Sequence, residues 1–434
     1  MKSCADWVRA TALCGAAITY ASTAHADDLF SITAVGGGTV TATGDSVLDL
    51  YEDAIETTGA FSSLSGNAIV ATLNYAGVAD SVRISVNAAG TSATLEFPGI
   101  GFTRVFAGTD ADNLADQIED FIQDDGAGVY AEFLEQINEQ SVAAVLDGNP
   151  FSTTAINARH TFDLYGLGVS GPQWANPNRF QYEFETPEDD GTPSMVGWWE
   201  ITPVAGGLSA DEFDGFVGGI DVAGGLFVNE WLGFAAGGSF QYLNVEGTDI
   251  VHSVGHFAVP IKLVPLTDWD ENPDDAWLNS FGWQLTPLVT FGSGGSLDAA
   301  AGGSFVGVGV ASNVHLGYHD KIVLNWGSQI VTYEGIDASF DDFEFETELD
   351  QSIVSTGLLV TVFLDRPDGN VFLDGGVSYF TFLDDAAVDY WVSPEVGFGW
   401  RLGRDSRIRA TYRPSFGNAD YKAHVGGLNL VFAF

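Results

Sequence analysis

From about residue 157 to its end, this chain repeats one pattern, in runs of about ten to fifteen residues whose alternate side chains are apolar. Period-two alternation belongs to a strand with one apolar and one polar face. In 231–243, Leu232, Phe234, Ala236, Gly238, Phe240 and Tyr242 share one face, and Gly233, Ala235, Gly237, Ser239 and Gln241 share the other. The alternation recurs at Phe281, Trp283, Leu285, Pro287, Val289 and Phe291, and again at Val306, Val308, Val310, Ser312, Val314 and Leu316, with Gln284, Thr286, Asn313 and His315 opposite. Less regular runs at 197–204, 216–225, 251–264, 321–333, 351–364, 371–382, 388–401, 407–413 and 421–434 bring the count to twelve. Two earlier stretches, 160–169 and 180–185, would add a hairpin and make fourteen; twelve is preferred.

The chain is 46% hydrophobic and 13% aromatic, yet beyond its first residues nothing approaches the roughly 18 consecutive apolar residues of a membrane helix. Both facts fit an antiparallel transmembrane β-barrel, whose strands alternate lipid-facing and lumen-facing side chains. The expected fold is mainly β, with the barrel over 151–434 behind a small α+β domain over 27–150. With a periplasmic C-terminus, 341–350 falls outside and 267–276 falls on the periplasmic side, where turns are ordinarily short.

Residues 1–26 read as a secretory signal, with Lys2 and Arg9 in the charged opening, an apolar stretch over 10–20, and Ala24-His25-Ala26 as the cleavage site. The residues before Cys14, Thr11-Ala12-Leu13, do not make a lipoprotein anchor. Both cysteines, Cys4 and Cys14, leave with the signal, so no disulfide or cysteine metal site is expected. Of 15 basic and 59 acidic side chains, Lys2, Arg9 and Asp6 are removed as well, leaving a net charge of about −45. Such acidity argues against nucleic acid as a partner and suits a saline habitat. Outer-membrane lipid, lipopolysaccharide and the barrel-assembly machinery are the expected partners, and no cofactor is expected.

Residues 27–150 read differently. Strands are expected at 30–35, 68–75, 81–86, 92–97 and 101–106, with Asn87-Ala88-Ala89-Gly90 as a hairpin turn. From Thr109 the spacing of Ala111, Leu114, Ala115, Ile118, Phe121 and Ile122 becomes helical. A second helix over 130–145 presents Tyr130, Phe133, Leu134, Ile137, Ser141 and Val145, and Gly148-Asn149-Pro150 stops it.

Inside the barrel, parity sets the register of one hairpin. Tyr390, Val392, Val396, Phe398 and Trp400 must share a side with Ile408, Ala410 and Tyr412, so paired residue numbers have an even sum, and centring the turn on Arg404 makes it 808. Arg401 then faces Arg407, and Glu395 faces Arg413. Arg401, Arg407, Arg409 and Arg413 form a basic ladder on the lumen wall, with Asp389 and Glu395 beside it. A channel lining and an internal salt-bridge network both explain the ladder, and in a small barrel the network is favoured. His252, His256 and Lys262 share lumen parity, with His315 on another strand. Residues four apart on a strand lie roughly 13 Å apart, too far to share one metal ion, so no metal site is expected.

The acidic loops read most simply as solvated. Asp268-Trp269-Asp270-Glu271-Asn272 opens like a calcium loop, but Pro273 and Asn279 stand where glycine and glutamate belong. Asp341, Asp342, Glu344, Glu346, Glu348 and Asp350 offer divalent cations an alternative site. Gly44-Asp45-Ser46-Val47 resembles the opening of Gly-Asp-Ser-Leu esterases. Val47 replaces leucine, and Asn157-Ala158-Arg159-His160 stands where such a site needs Asp-x-x-His, so a helix cap at Asp45 or Ser46 is the preferred reading.

The hairpin over 213–247, with its Asn229-Glu230 turn, Leu232-Gly233 start and Gly238-Ser239-Phe240 centre, resembles autotransporter-type β-domains, a resemblance covering 195–434. It implies twelve strands, a helix lying in the barrel and a passenger exported to the surface. Leu428, Leu430, Phe432 and Phe434 resemble an outer-membrane assembly signal, with Asn429 where glycine is frequent. Residues 27–150 are too short for a long β-helical passenger. The first expectation is therefore a structural or porin-like outer-membrane barrel with a periplasmic or plugging N-terminal domain. The second is a short-passenger autotransporter displaying that domain as an adhesin, and an esterase ranks last. No catalytic residues are named, because no nucleophile, base and third group can be assembled.

Overall fold

The computed structural model describes residues 30–44, 67–75, 77–110, a few helical positions between 113 and 137, 145–168, and 196–433 apart from short segments at 211–212, 230, 246–247, 269–279, 297–300, 319–321, 337, 341–342, 346–348, 365–370 and 403–405. The signal call over 1–26, most of the Gly44-Asp45-Ser46-Val47 motif, Phe434, and most residues of both acidic loops lie outside the described residues.

The N-terminal unit is an open antiparallel sheet of β1 (Phe30–Val35), β2 (Thr39–Gly44), β3 (Ile69–Tyr75), β4 (Val78–Val86), β5 (Ser92–Phe97) and β6 (Phe102–Ala107), in the order β2-β1-β3-β4-β5-β6. The sequence reading had no counterpart of β2, whose Thr-Val-Thr-Ala-Thr-Gly run offers few large apolar residues. Between β4 and β5 the chain reverses at Gly90, whose φ of 66° suits a residue without Cβ and whose amide donates to Asn87 O. Leu114, Phe121, Phe133 and Ile137 are helical and buried with the sheet's core, Phe133 meeting Tyr75 and Phe97.

The barrel is closed and has twelve strand positions. In chain order its strands are β7 (Val196–Ala210), β8 (Phe213–Phe227), β9 (Gly233–Val245), β10 (Thr248–Ala258), β11 (Ile261–Asp268), β12 (Ser280–Ser296), β13 (Ala301–Tyr318) and β14 (Ile322–Ile336). A short hairpin follows, β15 (Ala338–Phe340) with β16 (Phe343–Phe345), then β17 (Asp350–Phe363), β18 (Val371–Phe382), β19 (Tyr390–Arg401), β20 (Ser406–Gly417) and β21 (Lys422–Ala433). β10 and β11 share one position, because both pair with β12 and the break falls at Pro260, which has no N–H to give a ladder. Closure comes from β21 on β7, with Ala433 opposite Trp198.

The two faces of each strand obey the alternation. Phe234, Phe257, Val289, Phe291, Val308 and Trp326 are exposed on the outer wall, while Gln241, His252, Gln284, Thr286, Asn313 and His315 are buried on the inner one. A closed sheet leaves no backbone edge unpaired, which is the condition for strands to cross hydrocarbon.

The preferred count of twelve holds, and the alternative of fourteen falls. Residues 160–169, the candidate for a thirteenth strand, are helical in large part: α1 (Thr153–Thr161) runs on into a wider π-type turn, Phe162–Gly166. The count is twelve, and fourteen is excluded for the described residues. The helix sits within the barrel, so all of its residues but Arg159 are buried, polar and apolar alike. No amphipathic spacing announces it, because it has no solvent-facing side.

Candidate functional site

α1 begins at one rim of the barrel. Ser152 caps it, its side chain accepting from the Ala155 amide, and the chain before the cap is tied to rim turns: the Val388 amide donates to Gly148 O at 3.0 Å, and Phe151 packs on Tyr421. This rim is opposite the one that holds Ala433 and Trp198. Farther down, Thr153 Oγ1 and His252 Nδ1 lie 2.9 Å apart, Tyr333 OH donates to Asn157 Oδ1, and Gln329 Nε2 donates to Ala158 O. At the lower end Tyr165 OH lies 2.8 Å from His256 Nε2, and Asn313 Nδ2 donates to Gly166 O. A run of 14 helical residues is roughly 21 Å long at 1.5 Å per residue, enough to fill most of a bilayer-deep lumen.

Glycine makes this close approach feasible. A Cβ on Gly327 of β14 would stand 2.2 Å from Gly166 O, and one on Gly294 of β12 would stand 2.1 Å from Thr153 Oγ1. Larger residues at either place would push the helix from the wall.

The opposite flank of the helix meets the basic wall. The β19–β20 register sums to 808, as in Arg401 with Arg407 and Val396 with Tyr412. Arg409 lies between Asp374 of β18, 2.5 Å from its Nε, and Glu395. Arg413 pairs with the same Glu395 and reaches Asp163 on the lumen helix at 2.8 Å. A chain of charges thus runs Asp374, Arg409, Glu395, Arg413, Asp163, from the wall onto the helix. Asp374, Arg409 and Glu395 are buried and Arg413 and Asp163 half-buried, and the alternation of sign compensates the removal of these charges from water.

Arg401 and Arg407 are also buried, Arg401 with its guanidinium 5.2 Å from the Phe363 ring. His315 shares a hydrogen bond with Asn325. Lys262 lies over the Phe227 ring. Asp389 is the exception to the expected lining: it is exposed in the rim turn before β19 and accepts from Asn418, because the strand begins one residue later and parity has no hold on a turn. Leu428, Leu430 and Phe432 lie half-buried on β21, where Phe432 stacks on Trp199.

Sequence reasoning missed Asp374, Asp221, Glu200 and Asp163. The first three were legible, each being a lone carboxylate at inward parity in a run already assigned as a strand. Asp163 was not, because its position is set by a helix that packing alone creates. Beside the helix remains a cavity of about 70 Å³ lined on one side by Arg159, His160 and Asp163 and on the other by Glu200, Asp221 and Arg409 among others. Among the described residues no cluster of three metal-ligating side chains forms.

No family model matches the chain, and no curated protein matches it by sequence. Solved structures of similar fold include the translocator domain of the autotransporter NalP from Neisseria meningitidis, 12% identical with a TM-score of 0.36, covering 63% of this chain and 99% of that one. The β-domain of the Bordetella autotransporter BrkA is 11% identical, with a TM-score of 0.38, covering 54% and 98%. An outer-membrane channel from Pseudomonas putida is 12% identical, with a TM-score of 0.36, covering 55% and 95%. The expected resemblance to autotransporter-type barrels thus has counterparts among solved structures, alongside channels. At these identities the likeness is one of fold.

Proposed function

We propose that this chain is an integral outer-membrane barrel that holds its N-terminal domain at the cell surface, with α1 as the tether that passes through and closes the lumen. The observation that carries the reading is the direction of α1. Residues 148–152 are fastened at the rim opposite the chain's C-terminal end, and the helix descends from there toward the rim where β7 begins. In an outer-membrane barrel with a periplasmic C-terminus, that entry rim faces outward. A domain preceding residue 148 then starts outside the cell, which favours the display reading over the periplasmic one.

The band of Phe, Val and Trp on the outer wall suits acyl chains, and lipid with lipopolysaccharide is the surrounding partner. The reading is non-enzymatic: the buried charges next to α1 are engaged in holding it. An epitope tag placed after Asp27 is expected to be cleaved when protease is added to intact cells, while a periplasmic marker survives. Protection of the tag, with a protease site in the 383–389 turn cleaved in the same cells, would overturn the surface assignment and leave an inward-facing accessory domain.

A further inference from the structure

We propose that α1 is an acid-sensitive latch: protonation of His160 on the helix and His256 on β10 breaks the helix's hold on that wall and opens the lumen. The proposal deepens the reading above, since it takes α1 to be the closure of a membrane-embedded barrel.

The β10 wall grips the helix through two imidazoles, His252 and His256, in three contacts. His252 meets Thr153 at the top, and His256 meets Tyr165 at the bottom. Between them the His160 and His256 rings lie 5.2 Å apart at 55°. All three histidines are at most 5% exposed. Neutral imidazole suits each contact, because it can donate or accept toward a hydroxyl and can lie against a second ring without repulsion.

The surrounding charges decide how much protonation is tolerated. His160 faces Asp221 of β8, with Nδ1 4.0 Å from Oδ2, and has Arg159 and Asp163 beside it on α1. One proton on His160 is therefore answered by a carboxylate. His256 faces His160 and Tyr165, and Glu200 of β7 acts on Tyr165 from farther off. Of the other strands packed on the helix, β9 and β12 carry no lysine, arginine, aspartate or glutamate, β13 adds only His315, which is hydrogen-bonded to Asn325, and the acidic residues of β14 and β17, Glu334 and Asp350, are exposed on the outer face. A second proton, on His256, thus places like charges about one ring-width apart with no second carboxylate between them. On the far flank the helix keeps its ion pair from Asp163 to Arg413, five strand positions around the barrel from β10, which leaves a fixed side about which the freed side can swing.

The test is planar-bilayer conductance of the full chain at neutral pH and in steps down to about pH 3, roughly three units or more below the ordinary imidazole pKa of about 6.5, because both rings are buried. The expected result is a reversible, several-fold rise in single-channel conductance in acid that is lost in the double variant His160→Gln, His256→Gln. No rise in the parent protein overturns the latch. A rise of equal size in the double variant also overturns it and moves the sensor to the carboxylates of the Arg409 network.

A second measurement keeps both histidines. Without the leader the chain has no native cysteine, so Leu167→Cys, buried at the helix end, supplies a single thiol. Its reaction with dithiodipyridine, normalised to unfolded protein at each pH, is expected to quicken at least tenfold in acid, and an unchanged rate overturns the latch. The epitope-tag assay is read at neutral pH on cells, so failure of surface display and failure of the latch appear in separate experiments.

Discussion

Arg409 compensates two carboxylates at once, Asp374 and Glu395, in a lumen where all three are at most 7% exposed. Removing it leaves Asp374 with no ion-pair partner among the described residues and Glu395 dependent on Arg413, and truncating one member of a buried ionic set costs about 3–5 kcal/mol. Arg409→Ala is therefore expected to lower the denaturant midpoint of the lipid-reconstituted barrel markedly, whereas replacing Arg409, Asp374 and Glu395 together by Met, Leu and Met is expected to recover most of the loss. If the single and triple variants unfold at the same denaturant concentration, the compensation of charges is not what the network contributes.

The helix and the strands around it are fitted by glycine. Gly327→Ala would set a methyl against the backbone oxygen of Gly166, an atom that cannot rotate away, so the end of α1 has to move. Overpacking of this kind costs about 1–3 kcal/mol. The expected outcome is a barrel that still inserts but conducts more at neutral pH, with Gly375→Ala as control, since a Cβ there meets nothing within 4 Å. Equal conductance of the two variants would mean that the lower end of α1 does not set the closure. The same packing explains why the helix was not legible in the sequence. Thr153-Thr154-Ala155-Ile156-Asn157-Ala158-Arg159-His160 has no period, because a lumen wall that mixes polar and apolar side chains along each strand, as with Asn325, Gln329, Val331 and Tyr333 on β14, accepts both kinds on every face of the helix.

At the scale of the whole molecule, the outer wall carries the apolar belt and the lumen carries the charges, an inversion of the usual globular arrangement imposed by the solvent outside. Val308, near the middle of β13 and 61% exposed, belongs to that belt. Val308→Arg is expected to destabilise the reconstituted barrel by about 2–4 kcal/mol, the cost of arginine on a lipid-facing position near the bilayer midplane. Equilibrium unfolding from vesicles would show it, and an unchanged midpoint would place Val308 outside the hydrocarbon.

The alternation of side chains gave the preferred strand count, the outer and inner faces and the parity of the β19–β20 register, because a strand has only two ways to face. Pairing at 808 needed only parity and a turn centre. The lumen helix, its ion pair from Asp163 to Arg413 and its entry rim were decided by tertiary structure, since each depends on groups hundreds of residues apart meeting inside a closed wall. Local pattern reports the solvent that a face meets. For α1 there is no solvent to report, and only the packed barrel specifies it.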